Sequence, residues 1–189
     1  MITILGKSPA MVSMLAAHHR LPMSIVRNVP DETTLPFALD EWFEEIEQDD
    51  FKWRGERVHM GVVRVPTKFA VYESFFGSHG IQTRNYANYI DSSAVIAPYA
   101  ELGFVVTVNR GAMVGHHSKI GDFCTLNPGA NIAGGVEIGA RTTIGMGANV
   151  FDGVKIGDDV IIGAGSLVTK DIPSGVVAYG SPAKIVRER

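Results

Sequence analysis

Two adjacent histidines, His116 and His117, are the side chains in this sequence best suited to proton transfer near neutral pH. The ordinary pKa of histidine is about 6.5, so its ring gains and loses a proton readily under physiological conditions. Two neighbouring histidines can equally be solvated surface residues. The pattern of residues around them therefore decides how they are interpreted.

The histidine count argues against a catalytic zinc site, which takes three protein ligands. The other histidines are His18, His19, His59 and His79, and none follows His117. A β-helical site of the zinc carbonic anhydrase type, with three separated histidines, therefore cannot be assembled, and we expect no metal. The single cysteine, Cys124, falls at a small inward position of the repeat described next, so we expect a core residue and not a nucleophile.

A repeat of six residues runs through the second half of the chain. Its aliphatic position is filled fourteen times without a change of register, at Ile90, Ile96, Leu102, Val108, Val114, Ile120, Leu126, Ile132, Ile138, Ile144, Val150, Ile156, Ile162 and Val168. From Ile96 onwards, the residue two places before the aliphatic one is small or β-branched, and the residue after the aliphatic one is glycine seven times. Hexapeptide repeats of this kind are a signature of the parallel β-helix.

In such a fold three repeats make one triangular coil of about eighteen residues. The aliphatic side chains fill the interior, and the corners need backbone with positive φ, which glycine and asparagine tolerate. His116 and His117 would then lie at or beyond a corner and point away from the interior. We predict a left-handed parallel β-helix over residues 83–178, followed by a tail over 179–189.

The first 82 residues alternate between predicted strands and helices. Strands are predicted at residues 2–5, 23–26 and 58–65, and helices at residues 10–19, 35–50 and 67–79. This alternation indicates a small α/β domain that starts with a Rossmann-like β-α-β unit. Its sheet should be parallel, and parallel sheets bind ligands beyond the carboxyl ends of their strands.

Composition narrows the class of protein further. The formal net charge of −3 argues against a nucleic-acid partner, which would call for a basic surface. No apolar run is long enough to span a membrane, and the first residues lack the pattern of a secretory signal. A single cysteine fits a reducing compartment. We therefore expect a cytoplasmic protein that binds neither nucleic acid nor membrane.

Four features together resemble one family. They are the small α/β domain, residues 89–96, the segment Val114-Gly115-His116-His117-Ser118-Lys119-Ile120-Gly121-Asp122-Phe123, and the ending Gly180-Ser181-Pro182-Ala183-Lys184. The chain resembles, over nearly its whole length, the bacterial nucleotide-sugar N-acetyltransferases that acetylate 4-amino-dideoxy sugars, and the related sialic acid O-acetyltransferases.

The resemblance implies a homotrimer of parallel prisms with active sites between neighbouring subunits. It implies that the α/β domain holds the nucleotide of the acceptor and that His116 is the general base. Acetyl-CoA would lie along the outside of the β-helix, on backbone groups of Gly134, Met146 and Ala164, which we expect to stack on related faces. Lys184 would meet a phosphate of the coenzyme.

The sequence departs from the family pattern at several positions. His117, the second candidate catalytic residue, stands where the family has an acidic residue, and whether it replaces that acid as the partner of the base stays open. Thr125 stands where the family has a second histidine. The glycine-rich first turn of the family is replaced by Gly6-Lys7-Ser8, which we expect to contact the nucleotide. The acidic pair that ends the second strand in the family falls near Arg27. Asn127, at a corner, is a candidate contact for the acceptor.

Two alternatives stay open at this stage. The same histidine base serves an amine or a hydroxyl, so an O-acetyltransferase acting on a sugar fits the residues as well. The altered first turn also fits a β-helix protein that binds a ligand and has lost the chemistry. Binding of acetyl-CoA followed by turnover with amino-sugar nucleotides would separate these possibilities.

Overall fold

The computed structural model describes residues 2–8, 11–12, 15, 23–27, 43–62 and 64–189. The chain divides into two compact units, Met1–Ala87 and Asn88–Arg189. No helix among the described residues is long and apolar enough to cross a membrane.

The first unit contains a five-stranded parallel sheet in the order β3-β2-β1-β4-β5. The strands are β1 (Ile2–Leu5), β2 (Met23–Arg27), β3 (Phe43–Glu47), β4 (Val58–Met60) and β5 (Tyr86–Ala87), and helix α1 spans Val65–His79. Two short 3₁₀ helices, Gln48–Asp50 and Thr83–Asn85, complete the described elements. The predicted strands at 2–5 and 23–26 and the predicted parallel sheet are confirmed.

The predicted helix over residues 35–50 is wrong where the structure describes it. Residues 43–47 form β3, which pairs in register with β2 from Met23–Phe43 to Arg27–Glu47. Pairing with a strand twenty residues away overrides the local helical pattern, and sequence propensity carries no information about such a partner. Residues 35–42 lie outside the described residues.

Two further boundaries differ from the predictions. Strand β4 ends at Met60 and not at residue 65. Helix α1 begins at Val65 and not at residue 67, with Pro66 in its first turn, where the missing N–H costs nothing. The predicted end of the helix at His79 is confirmed, and Gly80, with a φ of 69°, is its left-handed C-cap. Of the predicted helix at 10–19, the structure describes Met11, Val12 and Leu15, which are helical and buried.

The second unit is a left-handed parallel β-helix, as predicted. Each hexapeptide contributes one strand of two residues, and strands eighteen residues apart pair in three parallel sheets. The strands are β6 (Tyr89–Ile90), β7 (Val95–Ile96), β8 (Glu101–Leu102), β9 (Thr107–Val108), β10 (Met113–Val114), β11 (Lys119–Ile120), β12 (Thr125–Leu126), β13 (Asn131–Ile132), β14 (Glu137–Ile138), β15 (Thr143–Ile144), β16 (Asn149–Val150), β17 (Lys155–Ile156), β18 (Ile161–Ile162) and β19 (Leu167–Val168). An antiparallel hairpin of β20 (Val176–Gly180) and β21 (Ala183–Glu188) extends one sheet.

The interior of the β-helix is built from the repeat. Every aliphatic position from Val108 to Val168 is buried, whereas Ile90 in the first coil is 37% exposed. The small positions between them are also buried, including Cys124, which is a core residue as expected. Burial of a continuous aliphatic column by stacked coils is the main stabilising force of this unit, because no single coil can bury its own apolar face.

Candidate active site

The corners of the β-helix stack into columns, and two of these columns hold predicted site residues. In the column that we call the His corner, Gly135 donates its N–H to the carbonyl of His116 at 2.8 Å, and Gly153 donates to Gly134 at 3.0 Å. In the column that we call the Met corner, Gly147 donates to Pro128 at 3.0 Å. Gly165 donates to Met146 in the same column at 2.8 Å.

The expectation that Gly134 stacks with Met146 and Ala164 is wrong. Met146 and Ala164 are one coil apart and share the Met corner, but Gly134 lies on the His corner with His116. The reason is arithmetic, since one coil is eighteen residues and a separation of twelve is two thirds of a coil. The predicted coenzyme residues therefore belong to two different corners of one chain.

The ring of His116 packs against Gly134 on the next coil. A Cβ added to Gly134 would stand 2.7 Å from both Cε1 and Nε2 of His116, so only glycine leaves room for the imidazole here. The N–H of Gly134 donates to Oδ1 of Asp152 at 3.1 Å. The N–H of Gly134, which we predicted to bind the coenzyme, thus donates to a carboxylate of the same chain.

His117 is connected to His116 and to a residue that sequence reasoning missed. Its Nδ1 lies 3.1 Å from Nδ1 of His116, with the two rings nearly perpendicular at 83°. On its other side it stacks on Tyr99, one coil earlier, with ring centroids 5.2 Å apart and planes at 22°. Tyr99 could have been found by counting back one coil from His117.

Asn127 acts as a brace between coils. Its side-chain amide donates to the carbonyl of Ile144 at 2.9 Å, as the amide of Asn109 does to Leu126 one coil earlier. Thr125, at the position of the second family histidine, is buried in β12. The structure therefore gives the amide nitrogen of Asn127 a structural partner.

Lys184 is exposed in β21, near the end of the Met corner. It pairs across the hairpin with Tyr179, whose side chain covers Gly163: a Cβ on Gly163 would be 2.6 Å from the Cβ of Tyr179. Gly163 directly precedes Ala164. Met146, Ala164 and Lys184 therefore follow one another towards the C-terminal end of the β-helix.

The three predicted residues of the first unit lie after β1, at the carboxyl end of the parallel sheet. Gly6 has a φ of 82° and packs so closely that an added Cβ would be 3.3 Å from Cγ1 of Val62. The ammonium group of Lys7 lies 2.9 Å from Oε1 of Glu45. The carbonyl of Ser8 accepts the N–H of Val12 at 2.9 Å.

A cluster of charges surrounds Lys7. Arg27 at the end of β2 forms ion pairs with Glu45 and Glu47 of β3. The acidic residues at this edge are thus supplied by β3, and Lys7 and Arg27 each have a carboxylate partner. Glu45 and Glu47 reach the same side because alternate residues of a strand face the same way.

A groove of about 770 Å³ lies along the sheet formed by β8, β11, β14 and β17. It contains none of the predicted site residues. Its floor includes Gly103, Gly121, Gly139 and Gly157. These glycines make room for corner side chains of the next coil, such as Asp122, whose Oδ1 accepts the N–H of Phe104 at 2.8 Å. We attribute this glycine column to folding.

Comparison with known proteins agrees with this architecture. Residues 117–152 and 135–170 match the family model described as bacterial transferase hexapeptide, six repeats. No curated protein gives a significant match to the sequence.

Several solved structures are similar over almost the whole chain. A mutant of GDP-perosamine N-acetyltransferase from Caulobacter crescentus, in complex with CoA and GDP-perosamine, is 26% identical with a TM-score of 0.68, and the match covers 99% of this chain and 96% of that one. WeeI from Acinetobacter baumannii AYE is 21% identical with a TM-score of 0.74, covering 98% and 99%. The acetyltransferase domain of PglB from Neisseria gonorrhoeae FA1090, in complex with acetyl coenzyme A, is 20% identical with a TM-score of 0.70, covering 98% of each chain. The last two show the shared fold.

The hexapeptide repeat and the left-handed β-helix are the features that this chain shares with the hexapeptide-repeat acyltransferases. Within that class, its full-length similarity is to the nucleotide-sugar N-acetyltransferases, the family that the sequence resembles.

Proposed function

We propose that this enzyme transfers the acetyl group of acetyl-CoA to the amino group of a nucleotide-linked 4-amino-dideoxy sugar, with His116 as general base. The observation that carries the proposal is the His corner. There the ring of His116 packs against Gly134, and its Nδ1 lies within hydrogen-bond distance of His117. The full-length similarity to an enzyme crystallised with CoA and GDP-perosamine supports the choice of donor and acceptor.

In the proposed reaction, the amine nitrogen attacks the carbonyl carbon of the thioester. Nε2 of His116 accepts a proton from the nitrogen as the C–N bond forms, and the C–S bond then breaks. The CoA thiolate leaves and takes the proton from the imidazolium, so the histidine returns to its neutral state. A histidine serves both steps because its ordinary pKa lies near neutrality.

The negative charge on the thioester oxygen requires a donor close to His116. We propose the N–H of Gly134, which belongs to the His corner and donates to Oδ1 of Asp152 at 3.1 Å. Bound thioester would replace Asp152 as the acceptor. Backbone donors of this kind stabilise developing oxyanions because their dipoles are already oriented.

We propose that acetyl-CoA lies along the Met corner, at Met146 and Ala164, with Lys184 facing a phosphate. Met146 is 59% exposed, which leaves an apolar surface for the pantetheine arm. Because the His and Met corners are separate on one chain, a homotrimer of parallel prisms would bring the His corner of one subunit to the Met corner of another. Exposed apolar residues of the β-helix surface, Val95, Met113 and Phe151, support such an assembly.

The first unit is proposed to bind the acceptor nucleotide at the carboxyl end of its sheet, through Gly6, Lys7 and Ser8. Lys7 would leave or share Glu45 to reach a phosphate. For Asn127, the amide oxygen is the atom we propose for an acceptor contact, since its nitrogen is engaged with Ile144. A cytoplasmic location, where acetyl-CoA is available, belongs to the same proposal.

A thiol-release assay tests the proposal. The purified enzyme is given acetyl-CoA with UDP-, dTDP- or GDP-linked 4-amino-dideoxy sugars, and with the matching 4-hydroxy sugars as controls. We expect thiol release with one amino sugar and a product heavier by one acetyl group. Turnover of the hydroxyl controls alone would identify an O-acetyltransferase. Saturable binding of acetyl-CoA without turnover of any acceptor would mean a binding protein.

A further inference from the structure

Tyr99 and His117 occupy the same corner position on successive coils, and both have left-handed backbone. Their φ angles are 63° and 60°, and Gly135 and Gly153 hold this position on the two following coils, with φ of 65° and 67°. Side chains other than glycine adopt this conformation at a cost. Left-handed side chains also fill another corner column, at Val105, Phe123, Arg141 and Asp159, so what distinguishes Tyr99 and His117 is the contact between their rings.

The side chain of Tyr99 does not pack into the core, because the residue is 78% exposed. Its one described ring contact is the stack on His117, with centroids 5.2 Å apart and planes at 22°. The stack follows directly from the repeat, since two rings that leave equivalent corners run parallel. Tyr99 therefore limits the rotation of the His117 ring.

The tautomers of the two rings determine which nitrogen of His116 carries the proton. Their Nδ1 atoms lie 3.1 Å apart, so one donates and the other accepts. The proposed base needs an unprotonated Nε2. This requires the proton of His116 to be on Nδ1 and to be donated to Nδ1 of His117.

We propose that Tyr99 is a positioning residue for the base. It holds the His117 ring with Nδ1 facing Nδ1 of His116. There the Nε2–H tautomer of His117 accepts the Nδ1–H of His116, which leaves Nε2 of His116 free to take the proton of the acceptor amine. This inference rests on the proposed function of His116. In this chain a stacked imidazole does what a carboxylate beside the base does in the family pattern, and the hydrogen bond strengthens when His116 becomes a cation.

Kinetics and stability of three variants test the proposal. Tyr99→Gly removes the ring and relieves the left-handed backbone. We expect kcat to fall by about tenfold, the order lost when the outer partner of a functional histidine is removed, with KM for acetyl-CoA unchanged. The thermal midpoint should stay equal or rise, which a residue kept for folding would not allow. Tyr99→Phe keeps the stack and should keep kcat. Phe104→Ala removes an exposed corner aromatic from another column and serves as the control.

A double-mutant cycle tests the route through His117. His117→Glu supplies a carboxylate acceptor that needs no aromatic stack. We expect His117→Glu to retain most of the activity that His117→Ala loses, and Tyr99→Gly to have little effect on kcat in the His117→Glu background. An equal loss from Tyr99→Gly in both backgrounds would overturn the proposed route.

Nitrogen NMR of histidine-labelled protein gives a readout that does not depend on the substrate. At pH 8 we expect His116 to be in the Nδ1–H tautomer in the parent protein, and mixed in Tyr99→Gly. If the parent protein transfers no acetyl group, the proposed function fails while the tautomer still decides the role of Tyr99. If His116→Ala is inactive but Tyr99→Gly has normal kcat and an unchanged tautomer, this inference alone is wrong.

Discussion

The imidazole of His116 lies against the bare Cα of Gly134 on the next coil, where an added methyl group would be 2.7 Å from Cε1 and Nε2 of the ring. A contact of this length must displace one of the two residues. The backbone of the neighbouring coils is fixed by a ladder of hydrogen bonds, including Gly135 to His116 at 2.8 Å. The flexible partner is therefore the histidine ring.

Gly134→Ala should consequently move the base and leave the fold intact. A displacement of about 1 Å of a catalytic group can cost about a hundredfold in rate, so we expect a loss of kcat of that order. Gly135→Ala is the matched control, because its Cβ would enter open space but its φ of 65° is left-handed. That variant should lose about 1 kcal/mol of stability and keep its kcat. Reversal of the two results would contradict our interpretation of the contact.

Replacement of His116 tests the base itself. His116→Ala or His116→Asn should lower kcat by about 10² to 10⁴, the usual contribution of a positioned base, with little change in KM for acetyl-CoA. The thermal midpoint should not change, because the side chain is exposed and fills no core volume. His117→Ala should cost less. Because the two histidines act as one unit, the double variant should be no slower than His116→Ala. Normal turnover in all three would end the case for a histidine base.

Asp152 is expected to compete with acetyl-CoA for the N–H of Gly134, since its Oδ1 accepts that proton at 3.1 Å. Asp152→Ala should therefore lower KM for acetyl-CoA, because the coenzyme no longer has to break the hydrogen bond between Asp152 and Gly134. A hydrogen bond of about 1 kcal/mol corresponds to a change of up to about fivefold. Initial rates at varied acetyl-CoA give the comparison. Asp158→Ala removes the corresponding cap from Ala140 in another column and should leave KM as it is. A raised KM in Asp152→Ala would mean that the carboxylate helps to bind the coenzyme.

The β-helix could be predicted from the sequence because its pattern is local: each strand, corner and core position recurs every six residues. The proposed site residues His116 and His117 follow from that pattern and from the family resemblance. The stack of Tyr99 on His117 and the contact of His116 with Gly134 are relations between coils, visible only when residues eighteen apart are compared. Strand β3 could not be predicted, because its pairing with β2 depends on residues distant in sequence.

The proposed trimer is tested first by its mass and then by mixing inactive subunits. If the His corner of one subunit works with the Met corner of another, the active species should be a trimer, about three times the 20.4 kDa of the chain. Light scattering coupled to size exclusion at micromolar concentration gives this mass. His116→Ala and Met146→Glu subunits should each be inactive alone. Mixing them should restore part of the activity, because some interfaces then combine the intact His corner of a Met146→Glu subunit with the intact Met corner of a His116→Ala subunit. A monomer that turns over normally would rule out the shared site.

Acid stability should depend on the ion pair of Arg141 with Asp159, which join adjacent coils at a third corner. A side-chain hydrogen bond from Arg141 lowers the pKa of Asp159 below its ordinary value of 3.8. A carboxyl group whose pKa is lower in the folded protein adds stability above its unfolded pKa and loses it as the pH falls through the folded pKa. Asp159→Asn tolerates the left-handed φ of 57° and removes the charge. Urea unfolding should therefore show the variant less stable than the parent at pH 7, by a small amount because both groups are partly exposed, with the gap closing below about pH 3.8. A gap that stays constant down to pH 2 would mean that Asp159 stabilises the corner through packing or neutral hydrogen bonds instead of through its charge.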